Sequence, residues 1–180
     1  SSPAYVFAAS AALDPEEAVR KALEELAHTR RYSQQIRDLL PLLAVEEGHE
    51  NVVSQIDHLN FWGDHRNAPL GDFVFASKER QDFQDLPDGS TGSARDDLAA
   101  IVDCLHANGH QVLAARLTTP DIADLGLEVV RTVIPGLHPL FMGYKIRALG
   151  GTRLWTVPQR LGQKGITREG GDNPWPHPYP

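Results

Sequence analysis

The chain opens on a continuous apolar run, AYVFAAS at 4–10, which reads as a buried strand. A helical pattern then takes over in ALDPEEAVRKALEELAHTRRYSQQIRDLLPLL. Ala18, Val19, Ala22, Leu23 and Leu26 recur at three- and four-residue spacing and so share one face. Asp14 suits the cap. Pro15 suits the first helical position, where no N–H is needed, and Glu16 and Glu17 lie at the positive end. Pro41 should end or kink the helix, because it has no N–H to donate to the preceding turn.

Periodicity weakens between about 45 and 92, where IDHLNFWGDHRNAP is followed by LPDGSTGS, a loop by composition. ARDDLAAIVDCLHANG restores a clean amphipathic helix, with Asn108-Gly109 as its stop. HQVLAARL reads as a strand. TTPDIADLG reads as a helical turn opened by Thr119-Pro120, and LEVVRTVIPG as a second strand broken by Pro135-Gly136. The Gly- and Pro-rich remainder is expected to wrap the core rather than form a core of its own. This order of elements argues for an α+β chain in layers. The final GDNPWPHPYP cannot continue a helix or join a central strand and reads as a polyproline-II arm. The division expected is 1–170 for the body and 171–180 for the arm. With four prolines the arm can make few backbone hydrogen bonds, so its removal is expected to leave melting nearly unchanged.

Composition narrows the function. A length of 180 residues with 41% hydrophobic and 23% charged residues is enough for one domain with a sizeable core. The net charge of −7 and the absence of a basic run make nucleic acid an unlikely partner class. No apolar run is long enough to span a membrane. The single cysteine, Cys104, excludes an internal disulfide, which fits a cytoplasmic location. On its helix face, Cys104 reads as a buried core thiol.

Candidate chemistry is sparse. On the first helix Arg30 points into the apolar stripe and Glu25 lies at its edge. The bland reading is an arginine snorkelling at the helix end beside a solvated glutamate. The sharper one is an anion or metal site, since magnesium takes carboxylate and phosphate oxygens and guanidinium grips phosphate. Asp57, His58, Asp64 and His65 have ligand-like spacing, but in a stretch without strong helix signals scattered surface residues are the better reading. Gly150-Gly151 reads as a turn, as no Walker pattern surrounds it. Ser90 and Thr91 have no His or Asp pairing to make a nucleophile.

Several segments together resemble the YcaO family. LDPEEAVRKALEELAHTR resembles its D-P-x-x-A-x-x-x-A-L-x-E-x-x-Q-x-R helix. LTTPDIADLGLEVVRTVIPGLHPL resembles its T-x-P-D-x-x-x-x-G-L-x-V-V-R-V-x-x-P-G-L segment. PHPYP matches the P-x-P-x-P terminus of members in azoline biosynthesis, and IDHLNFWGD fits the intervening D-H-x-x-x-Y region more loosely. The segments occur in family order across nearly the whole chain.

The resemblance implies a layered YcaO-type α/β fold, of which this chain would be the C-terminal half. It also implies ATP-dependent activation of peptide backbone amides, with ATP and Mg2+ as cofactors. In azoline-forming relatives a Cys, Ser or Thr side chain attacks the preceding carbonyl, the oxyanion takes the γ-phosphoryl group, and phosphate leaves. Carried over, Glu25 matches the nucleotide–magnesium glutamate and Arg30 the helix arginine. His28 stands where glutamine is usual. Arg131 matches the late-strand arginine, for phosphate or for structure. Pro176, Pro178 and Pro180 match the terminal motif, and the α-carboxylate of Pro180 is the expected proton acceptor. Arg116 departs from the acidic residue often found before the threonine.

The partners implied are a precursor peptide and a leader-peptide-binding protein or domain. A homodimer through a face meant for the other half is a further expectation, and so is weak or absent Mg-ATP binding by the chain alone. Thioamide or amidine formation, and a catalytically incomplete scaffold or partner-binding module, are the alternative functions.

Overall fold

The structure, a computed structural model, describes residues 2–44, 46–148, 150–163, 167 and 173–179. The chain forms two compact units. The first comprises Ser1–Gly89, Leu140–Leu149 and Ile166–Pro180, and the second Ser90–Pro139 and Gly150–Gly165. Helices with one small antiparallel sheet make the class α+β.

In the first unit, helix α1 spans Pro15–Leu39. Asp14 accepts from the Glu16 and Glu17 N–H groups at 2.8 and 3.4 Å. The helix stops at Leu40, extended at φ −118° and ψ 147°, as a residue before proline should be. The face it buries is the inner half of the apolar stripe continued along the helix: Ala18, Ala22 and Leu26 are half-buried and Thr29, Ser33 and Ile36 buried, whereas Val19 and Leu23 at its edge are 45% and 60% exposed. The buried half is the one that crosses helix α2, Gln55–Gly63. Gly63 sits at the crossing, where a Cβ would lie in ordinary contact, 3.5 Å from Ser33 Oγ and from Arg37 Cδ. Arg37 also donates to the Gly63 carbonyl.

Helix α2 is the centre of this unit's core, with His58 to Gly63 all buried and Val52 beneath them. Its start was encoded as a capping box. Ser54 Oγ accepts from the Asp57 N–H, and Asp57 Oδ2 accepts from the Ser54 N–H at 2.9 Å. Asn60 ties down the exit from α1, donating to the Pro41 carbonyl at 2.9 Å and accepting from the Leu43 N–H at 3.1 Å. The run at 4–10 is not a strand. The Ala4 and Tyr5 N–H groups donate to the Gly63 and Trp62 carbonyls at 3.0 and 3.1 Å. The segment therefore satisfies the last turn of α2, whose carbonyls lack intrahelical donors, rather than a sheet.

The second unit holds α3 (Ala94–Ala107), β1 (Leu113–Arg116), α4 (Pro120–Ala123), β2 (Val130–Val133) and α5 (Arg153–Arg160). Gly109 ends α3 at φ +79°, a left-handed conformation that glycine adopts without strain. β1 and β2 pair antiparallel from Leu113↔Val133 to Arg116↔Val130. All eight strand residues are exposed, and no described residue of α3, α4 or α5 is fully buried. Cys104 is thus an exposed thiol, not a core one. Helix α5 was not expected. Pro158 and the neighbouring glycines hid it, yet it winds through Pro158 near its end.

Candidate active site

Residues 8–10, α1, Leu140 and Tyr179 enclose a cleft of about 640 Å³ in the first unit. Helix α1 contributes Lys21, Glu24 and Glu25. Their i, i+3, i+4 spacing puts them on one face, and the helix turn alone assembles the group. Glu25 is exposed and makes no hydrogen bond or ion pair among the described residues. Glu24 binds Arg20 at 2.7 Å and Lys21 binds Glu17 at 2.9 Å, all at exposed side chains. Such i,i+4 pairs are worth only about 0.3–0.5 kcal/mol, so a ligand can displace them. One uncommitted carboxylate, a second loosely held one and an ammonium group fit a magnesium–phosphate ligand. Among the described residues no three His, Cys, Asp or Glu side chains cluster as a metal site by themselves.

The far wall of the cleft comes from the other end of the chain. The proline arm is not a free tail, and Pro176 is fully buried. Proline has no N–H to give, so the arm is held by its carbonyls. Tyr144 Oη donates to Pro174 O at 3.0 Å, Trp62 Nε1 to Pro176 O at 3.0 Å, and His58 Nδ1 to His177 O at 2.8 Å. His177 Nε2 donates in turn to the Phe141 carbonyl. The His58 and His177 rings stack 3.9 Å apart, and Trp175 meets His49 edge-on at 5.4 Å. Its carbonyls satisfy buried donors of the core, which argues against the expectation that its removal leaves melting nearly unchanged. Pro178 is half-buried, and Tyr179 reaches the cleft of Glu25. Pro180 lies outside the described residues.

The other residues singled out are placed differently. His28 and Arg30 are exposed on α1 and line no part of this cleft. His28 is one turn beyond Glu24 and Glu25 on the same side. Arg30 stands about 140° round the helix from Glu25, and it lies in no buried stripe. Arg131 is exposed on β2 of the second unit, opposite Ala115. Arg116, the departure from the family pattern, makes a two-pronged bond to Glu128 at 2.6 Å for each prong.

The His/Asp stretch is not a scatter of surface groups. His58 is buried in α2, and Asp57 closes the capping box. Asp64 is held by Arg66 at 2.8 Å from Nε, and His65 donates from Nε2 to the Ser2 carbonyl at 3.1 Å. Burial pushes the His58 imidazole below its ordinary value, and the Arg66 hydrogen bond holds Asp64 below the usual carboxylate range. Lys21, Glu24 and Tyr179 were missed as cleft residues. Helical spacing from Glu25 would have found the first two, and nothing local pointed to the third.

Residues 1–138 match a family model described as YcaO cyclodehydratase, ATP- and Mg2+-binding. The chain belongs to the YcaO family, whose activity is ATP-dependent and of the cyclodehydratase type. No curated protein and no solved structure matches it. No helix among the described residues is long and apolar enough to cross a membrane.

Proposed function

We propose that this chain carries part of the ATP site and the terminal arm of an enzyme that converts Cys, Ser or Thr of a ribosomal precursor peptide to azolines. The body would be the C-terminal half of a layered YcaO-type fold, working in the cytoplasm with a leader-binding partner. The observation that carries the reading is the meeting of Glu25 and Tyr179 on one cleft. The residue matched to the family's magnesium glutamate and the residue before the last proline come together there from opposite ends of the chain.

When bound, Mg-ATP supplies the phosphoryl group that activates the amide oxygen. Glu25 would hold the metal side of that ligand, with Glu24 available as a second oxygen donor. Lys21 would offset phosphate charge at the rim. His28, one turn along, is assigned to the nucleotide in place of the usual glutamine; Arg30 and Arg131, which line no part of this cleft, keep only their match to the family's arginines, Arg131 for phosphate or for structure. The arm, anchored through Pro176 and with Pro178 carrying the chain outward, directs its end to the reacting peptide. The role of the Pro180 carboxylate as proton acceptor requires that residue to be the protein's last; a general base contributes about 10²–10⁴-fold.

The test is Glu25→Gln in the full-length protein. Azoline formation and peptide-dependent ATP turnover should both vanish, with melting unchanged. Unchanged turnover and metal dependence would remove Glu25 from the site. A second reading, a partner-binding YcaO module, is favoured by the exposure of Val19 and Leu23 on the side of α1 away from this cleft. It expects peptide or partner binding with no ATP turnover even in the wild-type protein.

A further inference from the structure

A second cleft, of about 340 Å³, lies in the second unit and has no part in the reading above. Helix α5 presents Arg153, Val157 and Arg160 to it, at i, i+4 and i+7 on one face. Cys104, Asn108 and His110 face them from the end of α3 and the turn beyond. Apolar side chains complete the floor.

The two arginines are fixed without being neutralised. Arg153 donates from NH1 to His110 Nε2 at 3.1 Å. A guanidinium has no acceptor, so it is the donor and Nε2 the acceptor in this contact. Arg160 donates from NH2 to Asn108 Oδ1 at 3.2 Å, and Asn108 Nδ2 donates to the Cys104 carbonyl at 2.9 Å, which sets the amide orientation. Neither acceptor is a carboxylate. Elsewhere in the chain Arg20, Arg66 and Arg116 each hold a carboxylate. Among the described residues no carboxylate lines this cleft or bonds either arginine. Each guanidinium has five N–H donors, and one is used in the bond described. In a chain of net charge −7, two oriented, uncompensated guanidiniums on one concavity are a ready receptor for a compact dianion.

We propose that this cleft is a phosphate site, taking inorganic phosphate or a small phosphomonoester through Arg153 and Arg160. The apolar floor beside the arginines suits an ester with a small apolar body. The proposal does not depend on Glu25 or on the reading of the first cleft.

Cys104 gives a direct readout, because it is the chain's sole cysteine, is exposed and lines this cleft. Labelling of the thiol by neutral N-ethylmaleimide should slow in a saturable way as inorganic phosphate is added. Phenyl phosphate should protect at lower concentration than phosphate if an ester is the better ligand, and at equal or higher concentration if the free ion is. Calorimetry with phosphate should show one site, weakened roughly tenfold or more by Arg153→Gln with Arg160→Gln and untouched by Glu25→Gln. Arg153→Lys, which keeps the charge and loses the fork, should fall between. Failure of both phosphates to protect Cys104 in the wild-type chain overturns the proposal. Binding that survives the double Gln substitution in folded protein overturns it as well.

Discussion

His58 has no exposed surface, and its ring lies against that of His177, which holds the arm. Each donates one N–H to a carbonyl, leaving His58 Nε2 and His177 Nδ1 buried without a hydrogen-bond partner. Burial is the largest influence on His58 and lowers its proton affinity; His177 adds to this, while Asp57 and the His177 and Met142 carbonyls oppose it. His49, packed on Trp175, is lowered by burial too. A histidine lowered in the folded state contributes in full above its unfolded value of 6.5. As pH falls below that, the unfolded chain takes up protons that the folded chain refuses, and stability drops toward the folded pKa. Urea midpoints should therefore fall between about pH 7 and pH 5.5. His58→Gln should flatten part of that slope, and His49→Gln a further part. Slopes equal to wild type in both variants would show that neither ring is held neutral by the fold.

The arm and α2 stabilise one another as elements. Trp62 and His58 are donors inside the core, and their acceptors are the Pro176 and His177 carbonyls. Cutting the chain after Asn173 leaves both donors bare, and each buried unsatisfied group costs about 1–3 kcal/mol. The truncated chain should lose several °C of melting temperature, as calorimetry would show. A truncation that melts like wild type would mean the arm is not docked in solution. At the other end of α2, Ser54→Ala removes the side-chain half of the capping box and should cost about 0.5–2 kcal/mol in denaturant titration. Ser54→Asp, which keeps an acceptor at the cap, should recover most of it.

Across the whole molecule the two units differ in what they bury. The first has a core around Val52, Leu59, Phe61 and Trp62, while the second has no fully buried residue among those described. Local opening is easiest where few apolar contacts close over the backbone. Amide exchange should thus be slowest in α2 and markedly faster in α3, β1 and β2. Equal protection in both units would mean the second is covered in solution. The expected homodimer belongs to this scale: Val19 and Leu23 stand exposed on α1. Leu23→Glu should lower any self-association seen by sedimentation, leaving the buried face at Thr29 and Ser33 intact.

Much of the local structure was written in short-range chemistry. Asp14-Pro15 started α1, Pro41 stopped it, Asn108-Gly109 stopped α3, Thr119-Pro120 opened α4, and Pro135-Gly136 lay just past the end of β2. Each of these signals acts through sterics or hydrogen bonds within a few residues, so neighbours in sequence suffice to read it. Glu25 was legible as a candidate through its family resemblance; its helical position alone carried no such weight. Tertiary structure decided which residues were covered. Helix α1 buried Thr29 and Ser33 and left Val19 and Leu23 exposed, because α2 packs against the side that carries the first two. His58 became core and Cys104 became surface for the same kind of reason: burial depends on what packs opposite, and periodicity names a face without naming its partner. The closing of the first cleft by Tyr179 was beyond local reading altogether. It rests on carbonyls of a proline arm finding donors on α2 and Tyr144, a pairing of distant segments that only the folded chain brings within hydrogen-bond reach.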